Sequence, residues 1–505
     1  MKDPSPPSRP FWHHVQAHAA RAPQAAALVE TSTGRRWTWR ELLGAAMGCA
    51  HALRAHGVER GARVVVLAHN APELFALFLA CERLGAVYAP MNTRWSAAQH
   101  RSVLERSRPG VVVADHAHAA SLAALTSDVR ALDALTHTQA EAWPQAPESS
   151  GEQALGLMFT SGTTGHPKGV LLSGDAMRAN AQMFVRGLGL GPDDVHHLSA
   201  PMFHVGGLCA LSLPLLIPGG CTLVAASFDP GALVDHFERA RAQGAPVTCM
   251  FMVPTMWHRL LKDAAQADTW STLRVALVGG AAASPALLEA WEALGCPLTI
   301  GYGMTESGPM CTFRHPDDPV AHPMDVGRWP PEMGVRVEPD ASGEAGRVWL
   351  RGPNLMMGYD APLGPDRSSF QGAWMRSQDL GRLSPTGALV LCGRAHDMII
   401  TGGENVYPLE VESALAQVLG RRVERVVVVG LEDEDLGQRV VALVQPRDPT
   451  LTHFDLTPSQ RLRLDALVPR FARPRAYMVA ASLPCGPTGK IDRAAAQALI
   501  QPPLS

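Results

Sequence analysis

Between Arg63 and Val113 the chain alternates strand-length apolar runs with helix-length segments, which restricts it to a parallel sheet covered by helices. Arg63-Val64-Val65-Val66-Leu67 reads as a strand, and Ala71 to Leu84 as a helix with apolar residues at 74, 75, 77, 78 and 81. Ala86 to Pro90 is the next strand, Ser96 to Ser107 the next helix, and Val111-Val112-Val113 a third strand. The alternation returns further on, with strands at 222–224, 247–251, 274–278 and 297–300 and helices at 230–241 and 284–294. Between 323 and 393 short runs bounded by Gly and Pro at close spacing predict an antiparallel, barrel-like unit. From 397 onward, helices at 410–419 and 458–468 and strands at 425–429 and 440–444 predict a small α+β unit. Residues 11–60 read as helical segments around a small hairpin, with Trp37-Thr38-Trp39 in the strand position. Residues 116–150, rich in Ala, Ser and Gln, read as a covering segment or loose connection. The fold class is therefore α/β: two parallel-sheet subdomains, a small barrel-like subdomain and a C-terminal α+β unit.

A chain of 505 residues exceeds what a single core covers. Its net charge of −3 gives no electrostatic footprint for nucleic acid or an anionic membrane. The nine cysteines form no C-x-x-C pair, so neither a zinc site nor a disulfide framework is indicated, and buried thiols in a reducing compartment are expected. The stretch from Leu198 to Ile217 is apolar but contains Pro201, His204, Gly206, Gly207 and Pro214, which fits a loop and a buried helix rather than a membrane span. The N-terminus lacks an apolar h-region, and Pro503-Leu504-Ser505 is not a peroxisomal address, so a cytoplasmic protein is expected.

Between two apolar runs, 154–159 and 170–172, lies Thr160-Ser161-Gly162-Thr163-Thr164-Gly165-His166-Pro167-Lys168-Gly169. Its glycines let backbone N–H groups turn inward, its hydroxyls add donors, and Lys168 adds a fixed positive charge. That combination suits a polyphosphate; a long solvated hairpin loop is the competing account. The spacing is not that of a P-loop, because no Gly-Lys pair occurs in it and no helix starts at the lysine.

Further stretches follow predicted strands. Gly279-Gly280-Ala281-Ala282 and Gly301-Tyr302-Gly303-Met304-Thr305-Glu306 both lie just past strand carboxyl ends, where open α/β sheets bind ligands. The first lets a flat ring approach the backbone, Tyr302 offers a stacking face, and Glu306 is an oxygen ligand for magnesium. Asp379, in Ser377-Gln378-Asp379-Leu380-Gly381, can accept both hydroxyls of a ribose, and Arg394 can pair with the same sugar or a phosphate. Pro484 to Asp492 is a Pro/Gly loop that carries Lys490. Taken singly, these residues are equally a core aromatic, surface carboxylates and solvated cations.

Taken in order, Thr160–Val170, Gly301–Glu306, Asp379, Arg394–Glu412 and Gly486–Lys490 resemble the adenylate-forming superfamily of acyl- and aryl-CoA synthetases. The resemblance covers the chain from Phe11 to Arg493. It implies that a carboxylate attacks the α-phosphorus of Mg-ATP to give acyl-AMP and pyrophosphate, after which coenzyme A takes the acyl group and AMP leaves. It also implies an N-terminal AMP-binding domain over 1–393, a hinge at 394–396, and a mobile C-terminal domain over 397–505 that carries the catalytic lysine. On that resemblance Thr160, Ser161, Gly162, Thr163, Thr164, Gly165 and Lys168 hold the β- and γ-phosphates. Glu306 holds Mg2+ with Thr163 or Thr164 beside it. Gly280, Ala281, Ala282, Tyr302, Gly303, Met304 and Thr305 frame the adenine side. Asp379 takes the ribose, Arg394 assists there or at a phosphate, and Lys490 bridges the acid's carboxylate and the α-phosphate. The loop Gly402-Gly403-Glu404-Asn405 serves the thiol step, and His396 stands where the family's hinge carries Lys or Asp. His204 matches the residue at the mouth of the acyl pocket. Phe203–Leu208, Phe251–Met256, Gly279–Ala282 and Ser307–Cys311 are expected to line that pocket, and they contain neither an Arg nor an Asp. An apolar monocarboxylic acid, aromatic or medium-chain, is therefore expected as substrate. The expected partners are that acid, ATP and CoA, with a monomeric or homodimeric protein.

Overall fold

A computed structural model describes residues 9–145, 151–160, 167–263, 267–320, 322–339, 345–486 and 491–500. Two large sheets form the frame. The first runs in the order 358–359, 168–173, 154–160, 87–90, 63–67, 111–114, 129–131; five of its strands are parallel, and antiparallel strands close one end. The second runs 312–314, 299–302, 275–279, 249–252, 195–198, 221–224, 26–30, 36–38, parallel through its middle six strands. One continuous apolar core joins them, from Phe11 and Phe78 to Phe251 and Trp291.

The helix Pro72–Leu84 shows why the two sheets cannot part. It is apolar almost all round, with 11 of its 13 residues buried, so it has no face to give to water. Its Glu82 is buried as well, and burial pushes the carboxyl group up while Arg178, 2.8 Å away, pulls it down. The other carboxylate oxygen accepts the Trp12 N–H at 3.1 Å, in the first turn of the helix Phe11–Arg21. One side chain thus ties three helices together.

The expected hairpin is present as Ala26–Glu30 and Arg36–Thr38, and Leu28 pairs with Thr222, which makes it the edge of the second sheet. One boundary within it is corrected. Trp39 is the first residue of a helix, not of a strand, because the Thr38 side chain and Glu41 form a capping box at that boundary. In the stretch read as 116–150, the described residues 116–145 are also more ordered than a loose connection. Asp115 caps the helix His116–Ala123, and Val129–Ala131 adds a parallel edge strand to the first sheet.

The remaining strands form two smaller sheets. Strands 334–339, 346–351, 374–383, 370–371 and 389–394 are antiparallel throughout. Strands 404–406, 399–401, 437–446, 423–433 and 476–479 make the last sheet, with a separate apolar cluster on each face drawn from residues 399–500. Among the described residues no helix is long and apolar enough to cross a membrane, and Leu198–Ile217 resolves into short helical turns.

Candidate active site

The ends of four strands meet at one place. Gly279 and Gly301 are register partners, so the Gly280 and Tyr302 loops leave the second sheet side by side. A Cβ at Gly279 would come within 2.7 Å of the Gly301 carbonyl, and Gly280 has φ +81, so this close pairing of backbones requires glycine. Ala281 and Ala282 follow exposed. Gly303 is equally constrained, since a Cβ there would run into the Pro309 carbonyl.

Tyr302 reaches from the second sheet to the antiparallel one, and its hydroxyl donates to Asp379 Oδ2 at 2.7 Å. Burial first, and then the Asp379 charge, push its phenol well above the usual range, so it remains a donor. Asp379 and Arg394 face each other across neighbouring strands, with Nε and Oδ1 3.7 Å apart. Ser377 fixes this corner by accepting the Asp379 N–H at 3.1 Å and donating to the Val348 carbonyl at 2.7 Å. Two residues expected at one sugar, together with the expected adenine-side tyrosine, therefore lie in contact.

A second cluster surrounds Glu306. Met304, Thr305 and Glu306 enter a single 3-10 turn, held where Ser307 Oγ accepts the Met304 N–H at 3.1 Å. The Glu306 carboxylate accepts the Tyr359 hydroxyl at 2.9 Å, and the Lys168 ammonium lies 3.2 Å from the centre of the same ring. Thr160 and Lys168 pair across the strands 154–160 and 168–173, at the base of the glycine-rich loop. Ser161, Gly162, Thr163, Thr164 and Gly165 lie outside the described residues, as does Lys490. The segment bearing Lys490 is closed at its base by a bridge between Cys485 and Ile491. Arg493, just beyond it, binds Glu412 and Asp397, at 2.5 and 3.2 Å, and so ties the base of the loop to the residues next to His396.

The apolar side lies one strand away. Phe251 packs so closely on Gly206 that a Cβ there would sit 2.6 Å from its ring, and a Cβ at Gly279 would sit 3.4 Å from it. Three of the four expected pocket segments thus converge on Phe251. His204 precedes the short turn Val205–Gly207 and is half-buried, its ring 4.6 Å from that of Phe203.

Sequence reasoning missed Asn70, Asn354 and Tyr359. Asn70 binds the Ala200 and Ala225 carbonyls and the Met202 N–H at 2.8–3.1 Å, which pins the loop leading to His204. Asn354 donates to the Ser307 and Met310 carbonyls, both at 2.7 Å, beneath the Glu306 turn. Each partner is distant in sequence, so no local spacing marks these residues. Tyr359 had a weak local cue, a Gly-Tyr pair in a short run after Pro353, but nothing linked it to residue 306 or 168.

The model of a family described as AMP-binding enzyme matches residues 15–360. The chain belongs to this family. The indoleacetate–CoA ligase of Aromatoleum aromaticum is 31% identical over 91% of this chain and 92% of that protein. A feruloyl-CoA synthase of an Amycolatopsis species is 32% identical over 82% of this chain and 84% of its own length. The structure also superposes on the ATP-bound MatB of Rhodopseudomonas palustris, with TM-score 0.86, 27% identity and 97% and 98% of the two chains covered. Membership makes the chain an adenylate-forming enzyme of the acid–thiol ligase class. The expected two-part α/β architecture is that of its structural neighbours.

Proposed function

We propose that the protein is an AMP-forming acid–CoA ligase that activates an apolar monocarboxylic acid, aromatic or medium-chain, through its acyl-AMP. The observation that carries this reading is the position of Phe251. Its ring lies against Gly206 and Gly279, and Gly279 is the register partner of Gly301, one residue before Tyr302. An uncharged, ring-lined wall therefore adjoins the polar corner of Tyr302, Asp379 and Arg394 directly.

The residues present fit the reactants. The Asp379 carboxylate is an acceptor for ribose hydroxyls, and Tyr302 and Ser377 fix its direction before a nucleotide arrives. Lys168 and Arg394 supply positive charge for phosphate oxygens. Glu306, a hard oxygen ligand, would hold Mg2+, which neutralises phosphate charge as pyrophosphate leaves. Lys490 would orient the incoming carboxylate against the α-phosphate, and His204 would orient the acid at the pocket mouth. Residues 394–396 would serve as the hinge between the 1–393 and 397–505 domains. The 397–505 unit has its own apolar clusters, which supports its moving as one body.

The test is to incubate the purified protein with Mg-ATP and a panel of acids, with and without CoA, and to follow AMP and thioester by mass spectrometry. Thioester from aryl or medium-chain acids, and none from dicarboxylates or amino acids, is expected. Acid-dependent AMP without thioester would place the acceptor elsewhere, and no acid-dependent AMP across the panel would overturn the reading.

A further inference from the structure

Tyr359 stands outside every motif discussed above, yet it touches the residue expected to hold the β- and γ-phosphates and the residue expected to hold Mg2+. Its hydroxyl donates to the Glu306 carboxylate at 2.9 Å while its ring face receives the Lys168 ammonium at 3.2 Å. The two contacts use different parts of one side chain, the phenol edge for the anion and the π face for the cation.

The backbone around it is fixed from both sides. Tyr359 pairs with Val170 in the first sheet, and it exchanges two hydrogen bonds with Asp366, at 2.9 and 2.7 Å. Gly358 has φ +153, and a Cβ there would come within 2.6 Å of the Asp366 carbonyl, so the entry to this hairpin requires glycine. Asp360 donates its N–H to the Gly169 carbonyl at 2.9 Å, and its carboxylate takes a two-pronged contact from Arg63 at 2.6 and 2.9 Å. The tyrosine is therefore held on a strand paired with the one that carries Lys168, not on a mobile loop.

We propose that Tyr359 is a positioning residue that sets the magnesium carboxylate and the phosphate-binding lysine at a fixed separation before ATP binds. The proposal rests on the ligase reading above, in which Glu306 holds the metal and Lys168 the phosphates. The hydroxyl donates to one oxygen of the Glu306 carboxylate at 2.9 Å. That bond fixes one carboxylate oxygen and leaves the other for a cation. The ring holds the ammonium in place without neutralising it, because a cation–π contact is weak enough for a phosphate to displace.

Two variants separate the two contacts. Tyr359→Phe keeps the ring and loses the hydroxyl; Tyr359→Leu loses both. Acid-dependent pyrophosphate release is measured against Mg2+ and ATP concentration, alongside Mg-ATP binding by calorimetry and thermal unfolding. For Tyr359→Phe the half-saturating Mg2+ should rise about tenfold, the loss expected for one hydrogen bond to a charged group, while KM for ATP at saturating Mg2+ is unchanged. For Tyr359→Leu the same Mg2+ shift should be joined by a rise of about fivefold in KM for ATP, the weight of a cation–π contact. A purely packing role would lower stability or kcat and leave the Mg2+ dependence of Tyr359→Phe at the wild-type value; that result overturns the proposal. Wild-type protein that binds Mg-ATP but adenylates none of the acids overturns the ligase reading alone, since binding still reports the Mg2+ shift. Wild-type protein that binds no Mg-ATP brings both down.

Discussion

The two walls of this site are built by opposite means. On the nucleotide side, side chains reach across sheets to meet at hydrogen-bond distance: Tyr302 to Asp379, Tyr359 to Glu306, Arg394 beside Asp379. On the acid side the wall at Phe251 is set by close packing instead of by such pairs. The surface there is made of absent side chains, Gly206 and Gly279, against one ring, Phe251. The contrast follows from what each wall must recognise. A nucleotide always presents the same hydroxyls and phosphates, so directional groups with fixed identity serve it. An apolar acid offers shape, and a shape is set by which atoms are left out.

The largest expected effect tests where the chemistry lies. Lys490→Ala should lower acyl-AMP formation about 10²- to 10³-fold, the usual loss when a preorganised charge is removed from a developing anion. Thioester formation from supplied acyl-AMP should be largely spared, because the proposed role of the lysine lies in the first half-reaction; unimpaired pyrophosphate release in this variant would sink the assignment. Next, Asp379→Ala removes the acceptor on which Tyr302 and Arg394 converge. KM for ATP should rise about 10- to 100-fold, as expected for a lost charged hydrogen bond, and the ranking of acids should stay the same. A reordered acid ranking would show that the two walls are not separate.

Gly206→Ala is the converse experiment. Its Cβ would press on the Phe251 ring, so kcat/KM for the bulkiest accepted acid should fall about tenfold, the weight of one misplaced methyl group in a pocket, with KM for ATP unchanged. Equal losses for small and large acids would show damage to the fold instead of the pocket.

The last effect is on stability instead of turnover and concerns what lies under the acid wall. The strand Val195–Leu198, which leads toward His204, places two histidines in the core. Burial pushes His196 down to about 4, and burial, with His236 and His196 nearby, pushes His197 down to about 3 from an ordinary 6.5. The unfolded chain therefore binds more protons below pH 6.5, and stability is complete above that pH. As pH falls from 6.5 toward 4, each histidine should remove about 1.4 kcal/mol per pH unit. A His197→Gln variant should show a shallower decline in denaturant midpoint between pH 6 and 4.5; an unchanged slope would mean that this histidine does not drive the loss.

Local sequence determined the parts whose cause is local. The runs 63–67 and 111–114 are strands because the three consecutive valines in each can be buried on both faces of a parallel sheet. The helix starts at Ser96 and Ser284 follow from hydroxyls able to cap the first turn. The glycine-rich loop, the tyrosine after Gly301 and the aspartate at 379 could be singled out because the groups suited to a phosphate, a purine and a ribose are particular and stand in a specific order, and the structure brings Tyr302 and Asp379 into contact.

What only the tertiary structure decided depends on distance along the chain. That Leu28 lies beside Thr222 is a choice among sheet edges, and no residue near either position records it. Asn70 and Asn354 look like loop polar residues until the carbonyls they satisfy, up to 155 positions away, fold onto them. Tyr359 is the sharpest case, because a Gly-Tyr pair is an ordinary strand start. Its bond to Glu306 spans 53 positions and its ring contact with Lys168 spans strands far apart in the chain, so both exist only once the first sheet has closed on residue 358. Sequence chose the groups that the resemblance assigns to ATP; the packing of the sheets decided which of them hold one another in place.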